Sequence, residues 1–133
     1  MCNYNSLIEA ALKARDQAHA PYSKFKVGAA ISDSSDQITI GANVESASYG
    51  LSCCAERVTI FKALTEGLTG FSALAIASDG GATPCGACRQ IIAEYAPNAT
   101  ITLVDTNNPK LFEQTNISSL LPAAFTHKNF SPN

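Results

Sequence analysis

No run of basic residues occurs in this 133-residue chain, and its nine Lys and Arg are outnumbered by eleven Asp and Glu. A net charge of −2 supplies no broad positive surface for a phosphate backbone or an anionic membrane. No apolar stretch approaches the roughly 20 residues that a bilayer span requires. The opening Met1-Cys2-Asn3-Tyr4 lacks the basic-then-apolar pattern of a secretory signal, so a cytoplasmic location is expected. Repeats, low-complexity tracts and long linkers are absent as well. So is an even cysteine count, which a secreted disulfide framework would favour: there are five Cys, and clustered thiols outside such a framework more often serve metal binding or catalysis. What remains is 46% apolar and 15% charged, which suits one compact domain over residues 1–133 with a single core.

Apolar spacing at Leu7, Ile8, Ala11, Leu12 and Ala18 predicts a helix over about residues 5–18, capped by Asn5 or Ser6 and stopped before Pro21. Phe25–Ile31 and Gln37–Val44 read as two strands of a hairpin turning at Ser32–Asp36. Cys54–Leu64 carries a helical apolar face, with Gly67 as its stop. Phe71–Ala77 has the length and continuous apolarity of a central strand covered on both faces. A helix over about Gly86–Tyr95, a strand over Thr100–Val104, a short edge strand at Leu111–Glu113 and a helical turn at Ile117–Leu121 complete the chain. This order implies an α/β fold: a three-layer α/β/α sandwich around a mixed sheet of about five strands.

Two segments carry the chemistry. Cys54-Ala55-Glu56-Arg57 is followed some thirty residues later by Pro84-Cys85-Gly86-Ala87-Cys88. Cys54 and Cys85 each stand where the chain enters a helix, and two helix N-termini favour the thiolates that a metal needs. Cys85 and Cys88, three residues apart, share one helical face. Three thiolates leave one position of a tetrahedral zinc open, as catalytic sites do, and Glu56 is a free carboxylate beside that opening. Cys-x-x-C alone fits a redox dithiol equally well; the upstream Cys-Ala-Glu segment is what favours a metal. Cys53 could close the tetrahedron as a structural site, but adjacent side chains diverge at a helix start, and it is expected to be a small packed residue, with Cys2 an ordinary terminal thiol. Taken alone, Glu56 would be a carboxylate favoured by the helix dipole. Arg57 is either an ordinary surface charge or a donor to a thiolate, offsetting the excess negative charge of three sulfurs on a divalent ion.

Four segments in order, Pro21–Ala30, Gly41–Gly50, Cys54–Arg57 and Pro84–Gln90, resemble the short, homotetrameric cytidine deaminases, and the resemblance runs over about residues 6–125. It implies one zinc per subunit held by Cys54, Cys85 and Cys88, with Glu56 as general acid and base. It implies hydrolysis of cytidine and 2′-deoxycytidine to the uridines with release of ammonia, a pyrimidine salvage reaction needing only the nucleoside and water. It further implies that Asn43 and Glu45 hold the ribose hydroxyls, that Phe25 walls the nucleoside, and that the backbone at Ala47 and Ala55 reads the pyrimidine edge. Phe125 would pack over the base of a neighbouring subunit and Tyr49 would lie at a subunit contact, so that active sites are shared within a tetramer. The chain departs from the family at Ser46, where Asn is usual; the change bears on substrate affinity and sugar preference, not on the metal. Two other classes compete: a non-catalytic zinc or redox module using Cys53, and an RNA- or DNA-editing deaminase, which would need a basic, aromatic channel that this charge balance does not offer. Among small-molecule deaminases, a free-base or nucleoside-antibiotic enzyme is the nearer rival.

Overall fold

A computed structural model describes residues 4–126. Its elements are α1 (Tyr4–Arg15), β1 (Gly28–Ser32), β2 (Ile38–Ala42), a 3₁₀ turn (Tyr49–Leu51), α2 (Ala55–Thr65), β3 (Ala73–Ser78), α3 (Gly86–Tyr95), β4 (Thr100–Asp105), β5 (Phe112–Thr115) and α4 (Ile117–Leu120). The strands form one mixed sheet in the order β2-β1-β3-β4-β5. Only β3 and β4 run parallel, joined by way of α3, and the remaining pairs are antiparallel.

Strand alternation builds the layers. Ala29, Ile31, Leu74, Ile76, Ile101 and Leu103 point to the face covered by Ile60 and Ala63 of α2 and by Ile92 and Ala93 of α3. Ala30, Ala73, Ala75, Ala77 and Val104 point to the other face, against Leu7, Ile8 and Ala11 of α1. That second face is paved almost wholly with alanine, so α1 sits low on the sheet. Gly28 completes the close approach: a Cβ there would lie 2.2 Å from the Ala11 carbonyl oxygen and 2.3 Å from the Arg15 nitrogen. The expected α/β/α sandwich is therefore present, and β3 is its central strand, buried along its whole length.

Several boundaries differ from the sequence expectation, each for a physical reason. The first helix begins at Tyr4, which places Asn5 and Ser6 inside its first turn and not at a cap. It ends at Arg15, three residues early. Residues 16–18 tighten into turns (Gln17 N to Ala14 O, 2.9 Å), and His19 then pairs with the chain on either side of Val44, donating to the Asn43 carbonyl at 2.9 Å and accepting from Glu45 N at 2.8 Å. The strand expected from Phe25 starts only at Gly28. Lys24 adopts a left-handed φ of 61°, and the Asn43 side chain takes up two backbone groups that a strand would pair: its Oδ1 accepts from Val27 N and its Nδ2 donates to Phe25 O, each at 2.9 Å. Phe25 is thus outside the sheet and 41% exposed. The second strand stops at Ala42 because Val44 leaves it to bridge His19 and Cys53. The central strand begins at Ala73, and Phe71 packs into the core from the preceding loop. The last strand is shifted to Phe112–Thr115. Cys2 lies outside the described residues.

Candidate functional site

Cys54 is the N-cap of α2 and Cys85 the N-cap of α3, both with extended backbone; Cys88 follows in the first turn of α3. The sulfurs of Cys54, Cys85 and Cys88 all lie within 4.8 Å of one another, with Cys54 and Cys85 at 3.7 Å. Cys88 is buried, Cys54 half-buried and Cys85 exposed, so the cluster runs from the core to an open mouth. Cys53 does not join any such cluster among the described residues. Its backbone is paired in both directions with Val44, and burial pushes its thiol up. The divergence expected of neighbouring side chains at a helix start keeps it apart.

The thiols themselves are set up for metal. A hydrogen bond with Cys88 brings the Cys54 thiol down to about 5, reinforced by Arg57. The same interaction, followed by burial, pushes the Cys88 thiol up. Arg57 Nη2 lies 3.5 Å from the Cys54 sulfur. This contact is the largest of the causes that raise the guanidinium above its usual range. The Nε of Arg57 is buried and has no partner among the described residues. Three convergent sulfurs, one of them held low and backed by the Arg57 guanidinium, fit a thiophilic divalent ion such as zinc.

Glu56 is only 4% exposed. Burial lifts its carboxyl to about 7, so near neutrality it can both take and give a proton. It shares with Cys54 and Cys85 the wall of a cavity of about 270 Å³, whose other walls include Phe25, Asn43 and Glu45. Glu45 is held in place by the preceding loop: its Oε1 accepts from the backbone N–H of Tyr22 (3.0 Å) and of Ser23 (3.1 Å), and its Oε2 accepts from the Ser23 hydroxyl. These bonds, the Ser23 hydroxyl first, hold the Glu45 carboxyl below its ordinary value. Asn43 and Glu45 therefore each spend part of their capacity on the 22–27 segment, and an amide and a carboxylate both retain sites for a ligand hydroxyl.

Six of the predicted residues thus meet around one cavity: Phe25, Asn43, Glu45, Cys54, Glu56 and Cys85. Cys88 lies beneath it in the thiol cluster. Ala55 is buried in the first turn of α2. Ala47, Tyr49 and Phe125 are exposed and do not line it. Tyr49 instead meets the edge of Tyr22, ring centroids 6.3 Å apart, and the Phe125 carbonyl accepts from Gln90 Nε2 at 2.6 Å. Ser46 folds into a local turn, its Oγ accepting from Ser48 N at 3.1 Å while its own N–H donates to Ser52 Oγ at 2.9 Å. Sequence reasoning missed Ser23, Ser78 and Thr83, which also line the cavity. Ser23 lies within the Pro21–Ala30 segment and Thr83 beside Pro84, but nothing in their spacing distinguishes them from loop polar groups.

Residues 1–104 match the family described as the cytidine and deoxycytidylate deaminase zinc-binding region. The chain is 44% identical over 127 residues to a cytidine deaminase of Sporosarcina psychrophila, covering 94% of this chain and 93% of that protein. It is 43% identical to a cytidine deaminase of Halalkalibacterium halodurans, covering 94% and 96%. Among solved structures, a cytidine deaminase from Burkholderia pseudomallei superposes with a TM-score of 0.87 at 43% identity, covering 92% of this chain and 99% of that one.

Proposed function

The chain belongs to the cytidine and deoxycytidylate deaminase family, and from that premise we propose that it hydrolyses cytidine and 2′-deoxycytidine to uridine and 2′-deoxyuridine, releasing ammonia, as one catalytic domain. The observation that carries this reading is the placement of a buried, proton-poised carboxyl, Glu56, on one cavity wall with two members of a three-thiol cluster. Cys54, Cys85 and Cys88 would hold one zinc per subunit. Bound there, zinc supplies the Lewis acidity that brings a water from a pKa of about 15.7 toward about 7.

The residues of the chain supply the rest. Glu56 accepts the water proton and passes it to ring N3, which makes C4 electrophilic, and the remaining hydroxide adds to C4. Glu56 then takes the proton of the new C4 hydroxyl and delivers it to the amino nitrogen; the C4–N bond breaks as the C4 carbonyl forms, and ammonia leaves. One carboxyl serves both transfers, and each is typically worth about 10²–10⁴-fold. Arg57 draws charge from the Cys54 sulfur. Asn43 and Glu45 take the ribose hydroxyls, Phe25 walls the base, and the backbone at Ala47 and Ala55 reads the pyrimidine edge.

Exposed Tyr49 and Phe125, 76% and 53% accessible, support a homotetramer in which Tyr49 lies at a contact and Phe125 reaches a neighbour's base. No helix among the described residues is long and apolar enough to cross a membrane, and the slight negative charge favours a nucleoside over a nucleic-acid strand. The proposed setting is pyrimidine salvage in the cytoplasm, a role that such a substrate supports. The test is ammonia release from cytidine, 2′-deoxycytidine and cytosine, paired with zinc quantification. Turnover of both nucleosides by protein carrying about one zinc per chain is expected. Release from cytosine alone, or none from zinc-loaded protein, would overturn the reading.

A further inference from the structure

The guanidinium of Arg89, immediately after Cys88, is spent on three acceptors: Nε donates to the Pro84 carbonyl at 2.8 Å, Nη2 to Thr83 Oγ1 at 3.3 Å, and Nη1 to the Leu120 carbonyl at 2.8 Å. Thr83 lines the cavity, and Pro84 is buried directly before the Cys85 thiol. Leu120 is the last residue of α4, five residues ahead of Phe125. The neighbouring Gln90 donates to the Phe125 carbonyl at 2.6 Å, so consecutive residues of α3 fasten both ends of the 120–125 stretch.

Ala82 N donates to Ser78 Oγ at 2.9 Å, Pro84 has no N–H to donate, and its carbonyl at a buried helix entrance needs a partner. A planar fork can meet acceptors from separate segments at fixed angles, which a point ammonium cannot.

We propose that Arg89 is a positioning residue that ties the Thr83–Cys85 wall of the cavity to the C-terminal segment, setting how Cys85 is presented to the metal and how closely the wall meets the substrate. The inference rests on the reading of Cys85 as a zinc ligand. Its test uses zinc-loaded full-length protein with Arg89→Lys, Arg89→Gln and Thr83→Val. The rate of zinc transfer to an excess of a chromogenic chelator is measured beside KM and kcat for cytidine. Both Arg89 variants are expected to release zinc about tenfold faster and to raise KM about tenfold with a smaller change in kcat, the scale of a lost hydrogen bond from a charged donor. Thr83→Val should raise KM with zinc release unchanged, and it keeps the proposal testable if an Arg89 variant fails to fold. Zinc release and KM within about twofold of the parent in folded Arg89→Lys, or a fall in kcat alone, would overturn it. A parent inactive on cytidine would defeat the proposed function, while the zinc-release comparison would still decide the role of Arg89.

Discussion

The Nδ2 of Asn43 donates to the Phe25 carbonyl at 2.9 Å, so the residue proposed to hold a sugar also hangs the aromatic wall of the cavity. Its Oδ1 accepts from Val27 N in the same stroke. Asn43→Ala should therefore cost stability as well as affinity. A drop of about 1–3 kcal/mol is expected from the unpaired backbone groups, with KM raised at least about tenfold. Asn43→Asp keeps the acceptor for Val27 but loses the donor to Phe25, and should raise KM similarly with a smaller stability loss. Thermal unfolding beside steady-state kinetics separates these; an Asn43→Ala variant as stable as the parent would show that the bridge contributes nothing.

Glu56 is isolated from solvent yet opens onto the cavity. Glu56→Gln preserves shape and removes the proton carrier. It should retain zinc at the parent stoichiometry and lose at least about 10³-fold in kcat, because both proton transfers pass through the one group. Metal analysis and ammonia release on the same preparation provide the measurement, and substantial residual turnover would reassign the shuttle.

The fold was legible in the sequence wherever periodicity alone decides. The helix at Gly86–Tyr95 appears with the expected bounds, since Cys85 supplies an extended entrance and Pro97 an exit. The central strand reads correctly because it is apolar on both faces. What escaped were boundaries set by side chains from far along the chain. Phe25 has the composition of a strand residue, yet Asn43 claims its carbonyl. Val44 reads as the end of a strand, yet it pairs with His19 and Cys53. The metal-ligand candidates were legible because a cysteine at the entrance of each of two helices, with a third one turn on, brings together thiols that helix dipoles favour as thiolates. Arg89 was not, because one of its acceptors, the Leu120 carbonyl, lies far along the chain; nor was Thr83, which emerges only as a lining residue and an acceptor from Arg89.

Arg57 lies 3.5 Å from the Cys54 sulfur and helps hold that thiol at about 5. Arg57→Gln should let the thiol titrate at higher pH in metal-free protein, visible as later growth of thiolate absorbance. In the zinc-loaded protein, uncompensated sulfur charge weakens the Lewis acid, so kcat should fall about tenfold or more while zinc content stays near the parent value. Unchanged turnover would reduce Arg57 to a structural cation.

The Glu56 carboxyl, raised by burial from an ordinary 4.5 to about 7, makes stability depend on pH with a definite sign. Below the ordinary value it is protonated in both folded and unfolded chains, and its contribution is fully present. Between that value and about 7 the unfolded chain releases the proton first, so the native state loses ground as pH rises; above about 7 the loss is complete. The total is on the order of 3 kcal/mol. Cys54, lowered from 9.0 to about 5, acts oppositely, adding stability as pH rises above its folded value. The two slopes overlap between about pH 5 and 7, and the parent curve alone conceals them. Metal-free, reduced parent should therefore be compared with Glu56→Gln by denaturant unfolding across this range. The stability of the variant relative to the parent should grow with pH by up to about 1.4 kcal/mol per pH unit and level off above about 7. A difference that does not vary with pH would mean that Glu56 is ionised throughout and that its burial does not hold the proton.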